Sequence, residues 1–567
     1  MYKTINITAV NDSGNKCARL VSLIREWLEE KGFENNPADA VESQDAYTLT
    51  LKYADESEGE GYIFAPSEHG GVISASCLSG LYAGAGHFLL GAQIINGGLF
   101  PPSGYKASVP QKKMRGIYFA THFHNFYHDA PVGEIKRYVE ELALWGYNIL
   151  TVWFDMHHYA GIRDPEAANM ITRLRMILEA ASISGMKLCL GMLANEGFSN
   201  TPDMLKADWR AGRNGYHTAP AGHYHVEICP NSAGGTELIL KNREEVCEAF
   251  KSSGINFDYA WIWPYDQGGC TCEKCAPWGA NGFLKTAPLV AEAFLKYFPD
   301  GKIIMSVWYF DCFVDGEIAA FKKAFKNENN YIDYILCEPH WQSGELAARG
   351  GEIRGLPVVG FPEISMYNAL PWGGFGANPI PRRIRQIWDI CAPEMQGGFP
   401  YSEGIYEDIN KFIISRLYWH GDYDVNTALN EYCAAYFSRE YAEDIALCLS
   451  ESEIALARHM LLGGAPVSPY SYGATESLKP DTKIIINNPG PCGYIYDSIT
   501  KCDKSLPAAA RNSWRWRIVY LRAVIDRELS SNGWAKTEKC SCAYNELIGI
   551  YHAQNAYIWV RPPVAAE

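Results

Sequence analysis

The chain has 567 residues, of which 47% are hydrophobic and 20% charged, so a disordered protein is excluded and two or three domains are expected. Its formal net charge of −15 argues against a nucleic-acid partner, because phosphate binding depends on Lys and Arg. The first residues read as a strand and not as a signal peptide, and no apolar run reaches the ~18 residues of a membrane span. A cytoplasmic protein without a membrane partner is therefore expected.

The cysteines point to the same compartment. There are 17 of them, an odd number, and several stand inside apolar runs, as Cys189, Cys247, Cys337 and Cys391 do. This usage is typical of reduced, buried cysteine and not of a disulfide framework.

Residues 1–112 are predicted to form a small α/β domain, because alternating apolar segments are mixed with two segments of helical spacing. The predicted strands are Lys3–Val10, Ala46–Tyr53, Gly61–Pro66 and Gly71–Ala75, and the predicted helices are Ala18–Lys31 and Ser79–Leu90. The second helix is rich in Gly and Ala, which favours close packing against a sheet.

Residues 113–420 repeat a strand, a loop and a helix, which predicts a (β/α)8 TIM barrel. The predicted barrel strands are Arg115–Ala120, Ile149–Phe154, Lys187–Met192, Tyr259–Trp263, Lys302–Trp308, Tyr334–Cys337, Pro357–Phe361 and Gly397–Tyr401. The intervening helices are expected at Gly133–Trp145, Ile171–Ser184, Glu237–Lys251, Ala287–Phe298, Glu317–Lys326 and Pro381–Ile390. A further strand candidate, His223–Cys229, is interpreted as part of an insertion.

Residues 421–567 are predicted to be mainly helical. Helical spacing occurs at Val425–Phe437, Ala442–Leu461, Leu506–Asn532 and Lys539–Asn555. The segment Gly463–Pro491 is rich in Pro, Gly and Ser, and is predicted to be a long loop.

Chemistry-bearing residues follow the predicted barrel strands, at the end of a TIM barrel where active sites lie. Acids, His and Trp are frequent there while the strand interiors are apolar, and an aromatic cleft with several carboxylates suits glycoside hydrolysis. The residues expected to grip or stack on a sugar are His122, His124, Trp153, Asp155, His157, Glu196, Trp263, Tyr265, Trp308 and Tyr401.

Four carboxylates are the catalytic candidates. Asp266, which is flanked by rings, is predicted to be the general acid, and burial near Trp would raise its pKa. Glu363 or Glu403 would act as base or nucleophile, with Glu338 as the alternate. Structural alternatives stay open: Asp266 would cap the next helix, and Glu338 would pair with an Arg.

Two other groups of side chains have competing interpretations. Glu407 and Asp408 are expected to stabilise a helix N-terminus. Cys270, Cys272 and Cys275 form a tight thiol cluster, which we interpret as a reduced, packed loop that helps to fix the Asp266 loop. A metal site is the alternative, but a structural zinc needs four ligands and only three are local, with Cys540 and Cys542 as a distant source.

Several segments resemble the β-N-acetylhexosaminidases and the α-glucuronidases, in which a small α/β domain precedes a catalytic barrel. The similarity lies in Ser79–Leu89, in Arg115-Gly-Ile-Tyr and in Tyr147–Trp153, and covers roughly residues 1–420. The tail segment Leu429–Phe437 is more similar to the α-glucuronidase branch.

The resemblance implies roles and also marks departures. Hexosaminidases carry an Asp–Glu pair after the fourth strand, where this chain reads Tyr265-Asp266-Gln267. In α-glucuronidases the acid follows the fourth strand and candidate bases follow the sixth and seventh, which matches Asp266, Glu338 and Glu363. A loose match to the sixth-strand motif would make Asp333 a rival of Glu338.

The sequence therefore predicts an exo-acting, β-N-acetylhexosaminidase-like glycoside hydrolase that uses no cofactor and takes an oligosaccharide or glycoside substrate. An α-glucuronidase-like inverting hydrolase and an inactive sugar-binding protein on the same barrel are the alternatives. A metal-dependent hydrolase that uses the histidines after the first two strands is a further rival. Homodimerisation stays open.

Overall fold

The computed structural model describes most of the chain, including all 17 cysteines. The described residues are 1–35, 45–54, 59–121, 124–210, 212–217, 226–265, 269–326, 331–337, 355–362, 364, 379–393, 395–456, 458–462, 465–467, 483–486, 490–532 and 537–555.

The N-terminal region is a five-stranded sheet covered by two helices. In chain order its strands are Thr4–Val10 (β1), Ala46–Tyr53 (β2), Tyr62–Ser67 (β3), Gly70–Ala75 (β4) and Lys106–Ser108 (β7), and they are arranged β1-β2-β4-β3-β7. Gln93–Ile95 (β5) and Gly98–Phe100 (β6) form a separate hairpin. The helices are Ala18–Glu30 and Leu78–Gly91.

Helix Leu78–Gly91 packs closely on this sheet, as its small residues predict, and it also contacts a barrel helix. A Cβ atom on Gly84 would lie 2.5 Å from Cγ2 of Ile73, and one on Gly86 would overlap the carbonyl oxygen of Leu144. The helix therefore needs glycine at both positions to contact the sheet on one side and helix Val132–Leu144 on the other.

Eight parallel strand positions close into a barrel, which confirms the predicted fold class. The strands are Met114–Phe119 (β8), Ile149–Trp153 (β9), Lys187–Leu193 (β10), Tyr259–Trp263 (β11), Lys302–Ser306 (β12), Tyr334–Cys337 (β13), Val358–Gly360 (β14) and Met395–Gly398 (β15), and β15 is continued by Tyr401–Ser402 (β16). Both β15 and β16 pair with β8, which closes the sheet.

The sequence specifies these strands through continuous apolar runs. Every residue of β9 and of β11 is buried, because the barrel core covers one face and helices cover the other. The helices that surround the barrel are Phe126–Asp129, Val132–Leu144, Pro165–Ile183, Gly235–Ser252, Phe283–Tyr297, Glu317–Ala324, Pro381–Cys391 and Asp408–His420.

An insertion separates β10 from helix Gly235–Ser252. Its described residues include a 3-10 turn at Asp203–Leu205 and two isolated antiparallel bridges, Glu196 with Glu227 and Lys206 with Ile228. Residues 226–229 contribute only these bridges, so the described part of the predicted strand His223–Cys229 is not a strand.

The C-terminal region is mainly helical but differs from the prediction in four places, one of which is helix Gly490–Ser505, where no helix is predicted. Its helices are Val425–Tyr436, Ala442–Leu456, Gly490–Ser505, Ala508–Arg511, Trp514–Ser531 and Glu538–Tyr551. Arg458–Leu462 (β17) is a strand that pairs with Ala465–Val467 (β18) and Lys483–Ile486 (β19). The helix predicted to reach Leu461 therefore ends earlier, Gly463–Pro491 is not simply a loop, and the break at Asn512 was missed.

All 17 cysteines are free thiols, as their usage predicts. Within the described part of the chain, no helix has an apolar stretch of membrane-spanning length.

Candidate active site at the barrel mouth

The predicted site residues that the structure describes lie at or directly after the C-terminal ends of the barrel strands, which we call the barrel mouth. His122, Asp266, Glu338 and Glu363 lie outside the described residues. The other predicted residues are described, and their side chains separate into groups with different surroundings.

Aromatic rings from five strand ends meet in the barrel and form what we call the aromatic floor: Trp153, Trp263, Trp308, Phe361 and Tyr401. The Trp263 ring lies 5.6 Å from that of Trp153 and 5.8 Å from that of Trp308, centroid to centroid. Phe361 lies 5.0 Å from Trp263 and 5.7 Å from Tyr401. The structure thus brings together four residues that were predicted to stack on a sugar, and adds Phe361.

The Trp263 indole N–H is a buried donor without a hydrogen-bond partner among the described residues, and the residue is 4% exposed. Buried donors are satisfied in the great majority of cases, so such a donor calls for an explanation.

Glu403 is the one predicted catalytic carboxylate in the described chain, and it is fully buried beside the floor. The Tyr401 hydroxyl donates a 2.5 Å hydrogen bond to its Oε1, and the Tyr406 hydroxyl lies 3.5 Å from its Oε2. These hydroxyls orient the carboxylate at the end of β16.

Glu407 holds the backbone that presents Glu403. Its Oε1 accepts the Glu403 N–H at 2.8 Å, and its Oε2 lies 3.2 Å from Nζ of Lys411. The first turn of the helix that begins at Asp408 is thereby stabilised, as the sequence predicts for Glu407.

Asp155, which follows β9, is buried and faces two histidines. Nδ1 of His157 is in close contact with its Oδ1, and Nε2 of His158 lies 3.4 Å from its Oδ2. Both adjacent histidines therefore contact the same carboxylate.

His124, which follows β8, stacks on His128 with 4.1 Å between ring centroids. Its Nδ1 lies 3.5 Å from Asp129, and the two imidazoles line a cavity of about 520 Å³ together with His158. Burial lowers the pKa of His128 to about 4, so this imidazole is neutral near pH 7. His128 is not among the predicted site residues, because it lies beyond the strand end, in helix Phe126–Asp129.

Glu196, which follows β10, is fully buried, and its side chain is turned towards the protein interior. Its Oε1 accepts the Met156 N–H at 2.7 Å, and its Oε2 lies 3.4 Å from Nη2 of Arg243. The geometry gives Glu196 a role in fixing the loop after β9, next to Asp155.

Tyr265, which follows β11, is also fully buried. Its hydroxyl donates a 2.6 Å hydrogen bond to Oε1 of Glu317 and lies 3.1 Å from the Tyr216 hydroxyl. The Tyr265 hydroxyl therefore anchors the β11 loop to helix Glu317–Ala324, and no local sequence pattern indicates this partner.

Glu317 is expected to make stability depend on pH. Burial raises its pKa from 4.5 to about 7, although Tyr265 and two backbone N–H groups donate to it. Between these values the native state binds a proton that the unfolded chain has released, so the free energy of unfolding falls as pH rises, by at most about 3 kcal/mol. Urea unfolding at about pH 5 and about pH 7.5 measures this loss.

The matched variants are Glu317→Gln and, as control, Glu292→Gln, whose side chain is exposed. The first should flatten the decline between the two pH values and the second should leave it unchanged. Equal declines in all three proteins would contradict the assignment.

The β11 loop has a second anchor directly after Asp266–Gly268. The Gly269 N–H donates to Oδ1 of Asn195 at 2.9 Å, and Nδ2 of Asn195 returns a 2.9 Å bond to the Gly269 carbonyl. The chain is thus fixed at Tyr265 and at Gly269, on both sides of the predicted acid in sequence.

The three-cysteine turn lies in the same loop and gains a fourth thiol from the insertion. Cys229, which lies 43 residues from Cys272 in sequence, places its Sγ 3.8 Å from that of Cys272. The local spacing of cysteines could not reveal this partner.

Asp333 lies at the opposite end of the barrel, and its proposed rivalry with Glu338 is wrong. It precedes β13, and its Oδ2 accepts the Ile303 N–H at 2.8 Å. Asp258 bonds the Leu188 N–H in the same way before β11. Both carboxylates join neighbouring strands at the N-terminal face of the barrel. In TIM barrels, residues at that face contribute to stability and not to catalysis.

The similarities of this chain are to folds and not to sequences: no protein-family model matches it, and no curated protein matches it. A GH115 4-O-methyl-α-glucuronidase with specificity for decorated arabinogalactans superposes with a TM-score of 0.59 at 10% identity, over 99% of this chain and 78% of its own. A GH138 enzyme targeting pectin rhamnogalacturonan II gives 0.58 at 13%, over 98% and 74%. The GH20 exo-β-N-acetylglucosaminidase of Vibrio harveyi gives 0.53 at 14%, over 80% and 75%. These likenesses confirm the predicted architecture.

Proposed function

We propose that the chain is a glycoside hydrolase and that the barrel mouth is its active site. The observation that carries the proposal is the aromatic floor beside the buried Glu403, with a Trp263 indole N–H that has no partner in the described part of the chain. Ring faces stack on the apolar faces of sugars, and an indole N–H donates to a hydroxyl. A carboxylate beside such a floor is the group that glycosidic cleavage requires.

The catalytic roles follow from position along the strands. Asp266 is assigned as general acid, because its neighbours Tyr265 and Gly269 are both anchored at the barrel mouth. Glu403 is assigned as base or nucleophile, with Glu363 and then Glu338 as alternates. Retention or inversion at the anomeric carbon would show which of the two roles the second carboxylate has.

For the sugar, the α-glucuronidase-like alternative is better supported than the β-N-acetylhexosaminidase-like one. The GH115 α-glucuronidase aligns over 99% of this chain, C-terminal helices included, whereas the GH20 enzyme aligns over 80%. A GH84 structure also aligns over 97%, so the choice depends mainly on the residue after Asp266. Gln267 also stands where acetamide-assisted hydrolysis needs an acid. We therefore assign exo-cleavage of a terminal uronic acid. His157 and His158, which contact Asp155 near the barrel mouth, are assigned as hydrogen-bond donors to the substrate.

The test is a screen of chromogenic glucuronides, galacturonides, N-acetylglucosaminides and N-acetylgalactosaminides. We expect turnover of a uronide, and a loss of about 10²- to 10⁴-fold in kcat for Asp266→Asn, as for removal of a general acid. Asp315→Asn, which changes an exposed Asp in a nearby loop, is the matched control and should keep full activity.

Two results would overturn the proposal, and a third would change the choice of sugar. Binding of the sugars without turnover, measured by calorimetry, would identify an inactive sugar-binding protein on this barrel. Turnover that Asp266→Asn does not reduce would remove Asp266 from the mechanism. Turnover of an N-acetylhexosaminide alone would reverse the choice of sugar.

A further inference from the structure

Four thiols converge at the base of the β11 loop: Cys229, Cys270, Cys272 and Cys275. Their Sγ atoms all lie within 4.8 Å of one another, and Cys229 Sγ is 3.8 Å from both Cys272 Sγ and Cys275 Sγ. A tetrahedral ion with Zn–S bonds of about 2.3 Å requires S···S separations of about 3.8 Å. The observed cluster has the dimensions of such a site.

The backbone presents the thiols from two directions. The Cys272 carbonyl accepts the N–H groups of Cys275 and Ala276 at 3.0 and 2.9 Å, which forms the tight turn of a Cys-x-x-Cys pair. Cys229 arrives from the insertion, where its N–H donates to the Leu205 carbonyl at 2.8 Å. Packing of one loop alone would not bring the fourth sulfur to the same point.

N–H groups donate to two of the sulfurs, as is typical around metal-bound thiolates. Nδ2 of Asn231 lies 3.1 Å from Cys275 Sγ, and the Asp208 N–H lies 3.4 Å from Cys270 Sγ. Oδ1 of Asn231 in turn accepts from Nζ of Lys285 at 2.8 Å, which fixes the amide in this orientation. Such donors stabilise the charged form of sulfur that binds a metal.

We propose that Cys229, Cys270, Cys272 and Cys275 bind one zinc ion. Four protein ligands close the coordination sphere, so the ion is structural and not catalytic. It ties the insertion after β10 to the loop after β11, and so fixes the loop that begins with Tyr265 and continues through Gly269. The assignment does not depend on the proposed glycosidase activity.

The direct experiment is the metal content of the full chain, purified without chelator and measured by plasma mass spectrometry. We expect one zinc per chain in the wild type and in Cys542→Ser, whose thiol is exposed on helix Glu538–Tyr551. Cys272→Ser, at the half-exposed ligand, should lose most of the zinc and lower the Tm. A mercurial that blocks thiols should release one equivalent from the wild type to a metallochromic dye.

A measurement on the wild type alone guards against variants that fail to fold. Cells grown with cobalt in place of zinc should yield protein with thiolate-to-cobalt charge-transfer bands and the visible bands of a tetrahedral ion. Absence of both metals after growth with each would overturn the proposal, and stoichiometric iron would overturn the assignment to zinc. Zinc that Cys272→Ser retains in full would place the ion elsewhere. None of these measurements uses a glycoside, so failure of the proposed function leaves them unaffected.

Discussion

Replacing Glu403 by Gln is expected to lower kcat/KM on the glycoside identified in the screen by about 10²- to 10⁴-fold, the range for loss of a general base. The carboxylate is buried between the hydroxyls of Tyr401 and Tyr406, at the end of the strand position that closes the barrel. Gln keeps its volume and one acceptor oxygen but supplies neither a base nor a nucleophile. Initial rates over a range of substrate concentrations measure the effect.

Two variants separate chemistry from positioning. Tyr401→Phe keeps the carboxylate but removes its 2.5 Å hydrogen bond, so about a tenfold loss is expected, in line with one hydrogen bond to a charged group. Glu179→Gln, on the outer helix Pro165–Ile183, should leave kcat/KM unchanged. If Glu403→Gln loses no more activity than Tyr401→Phe, Glu403 acts only as a support for Tyr401, and the catalytic role passes to Glu363 or Glu338.

Most of the barrel could be predicted because its strands have a strong sequence signal. Segments such as Tyr259–Trp263 are apolar throughout, since parallel barrel strands are covered on both faces. The C-terminal sheet β17–β19 has no comparable signal. Its strands are short and lie in or beside a stretch rich in Pro, Gly and Ser, so composition favours a loop, and only pairing with each other defines them.

The site could be predicted by position but not by side-chain direction. Strand ends placed Trp153, Trp263 and Tyr401 correctly together, because ends of parallel strands share one face of the barrel. Glu196 and Tyr265 also lie at strand ends, yet each turns towards a partner far along the chain. Arg243 and Glu317 provide those partners, and no local pattern marks them.

The same limit applies to the β11 loop as a whole. Its anchors are Asn195, Glu317 and Cys229, which come from two other strand–helix units and an insertion. Each contact joins residues that are distant in sequence, so the local pattern around Asp266 could not reveal these anchors.

Arg515→Met is expected to lower the free energy of unfolding by about 3–5 kcal/mol, because it removes the guanidinium from buried Asp408 and leaves buried Glu141 with only the more distant Arg137 at 3.8 Å. Arg515, on helix Trp514–Ser531, places Nε 2.7 Å from Oδ2 of Asp408 and its Nη2 against Glu141. The three side chains are only 7%, 0% and 7% exposed. The guanidinium therefore joins the C-terminal helices to two helices of the barrel, one of which begins directly after Glu407.

Arg517→Met provides the matched control two residues along the same helix. Arg517 pairs with Glu546 at 2.7 Å, but their side chains are 25% and 44% exposed, so a loss below about 1 kcal/mol is expected. Adding Asp408→Asn and Glu141→Gln to Arg515→Met should restore part of the lost stability, because the uncompensated charges are then gone. Denaturant unfolding of the four proteins measures these differences. Equal losses for Arg515→Met and Arg517→Met, or a triple variant weaker than the single one, would show that the buried ion pairs are not what joins these helices.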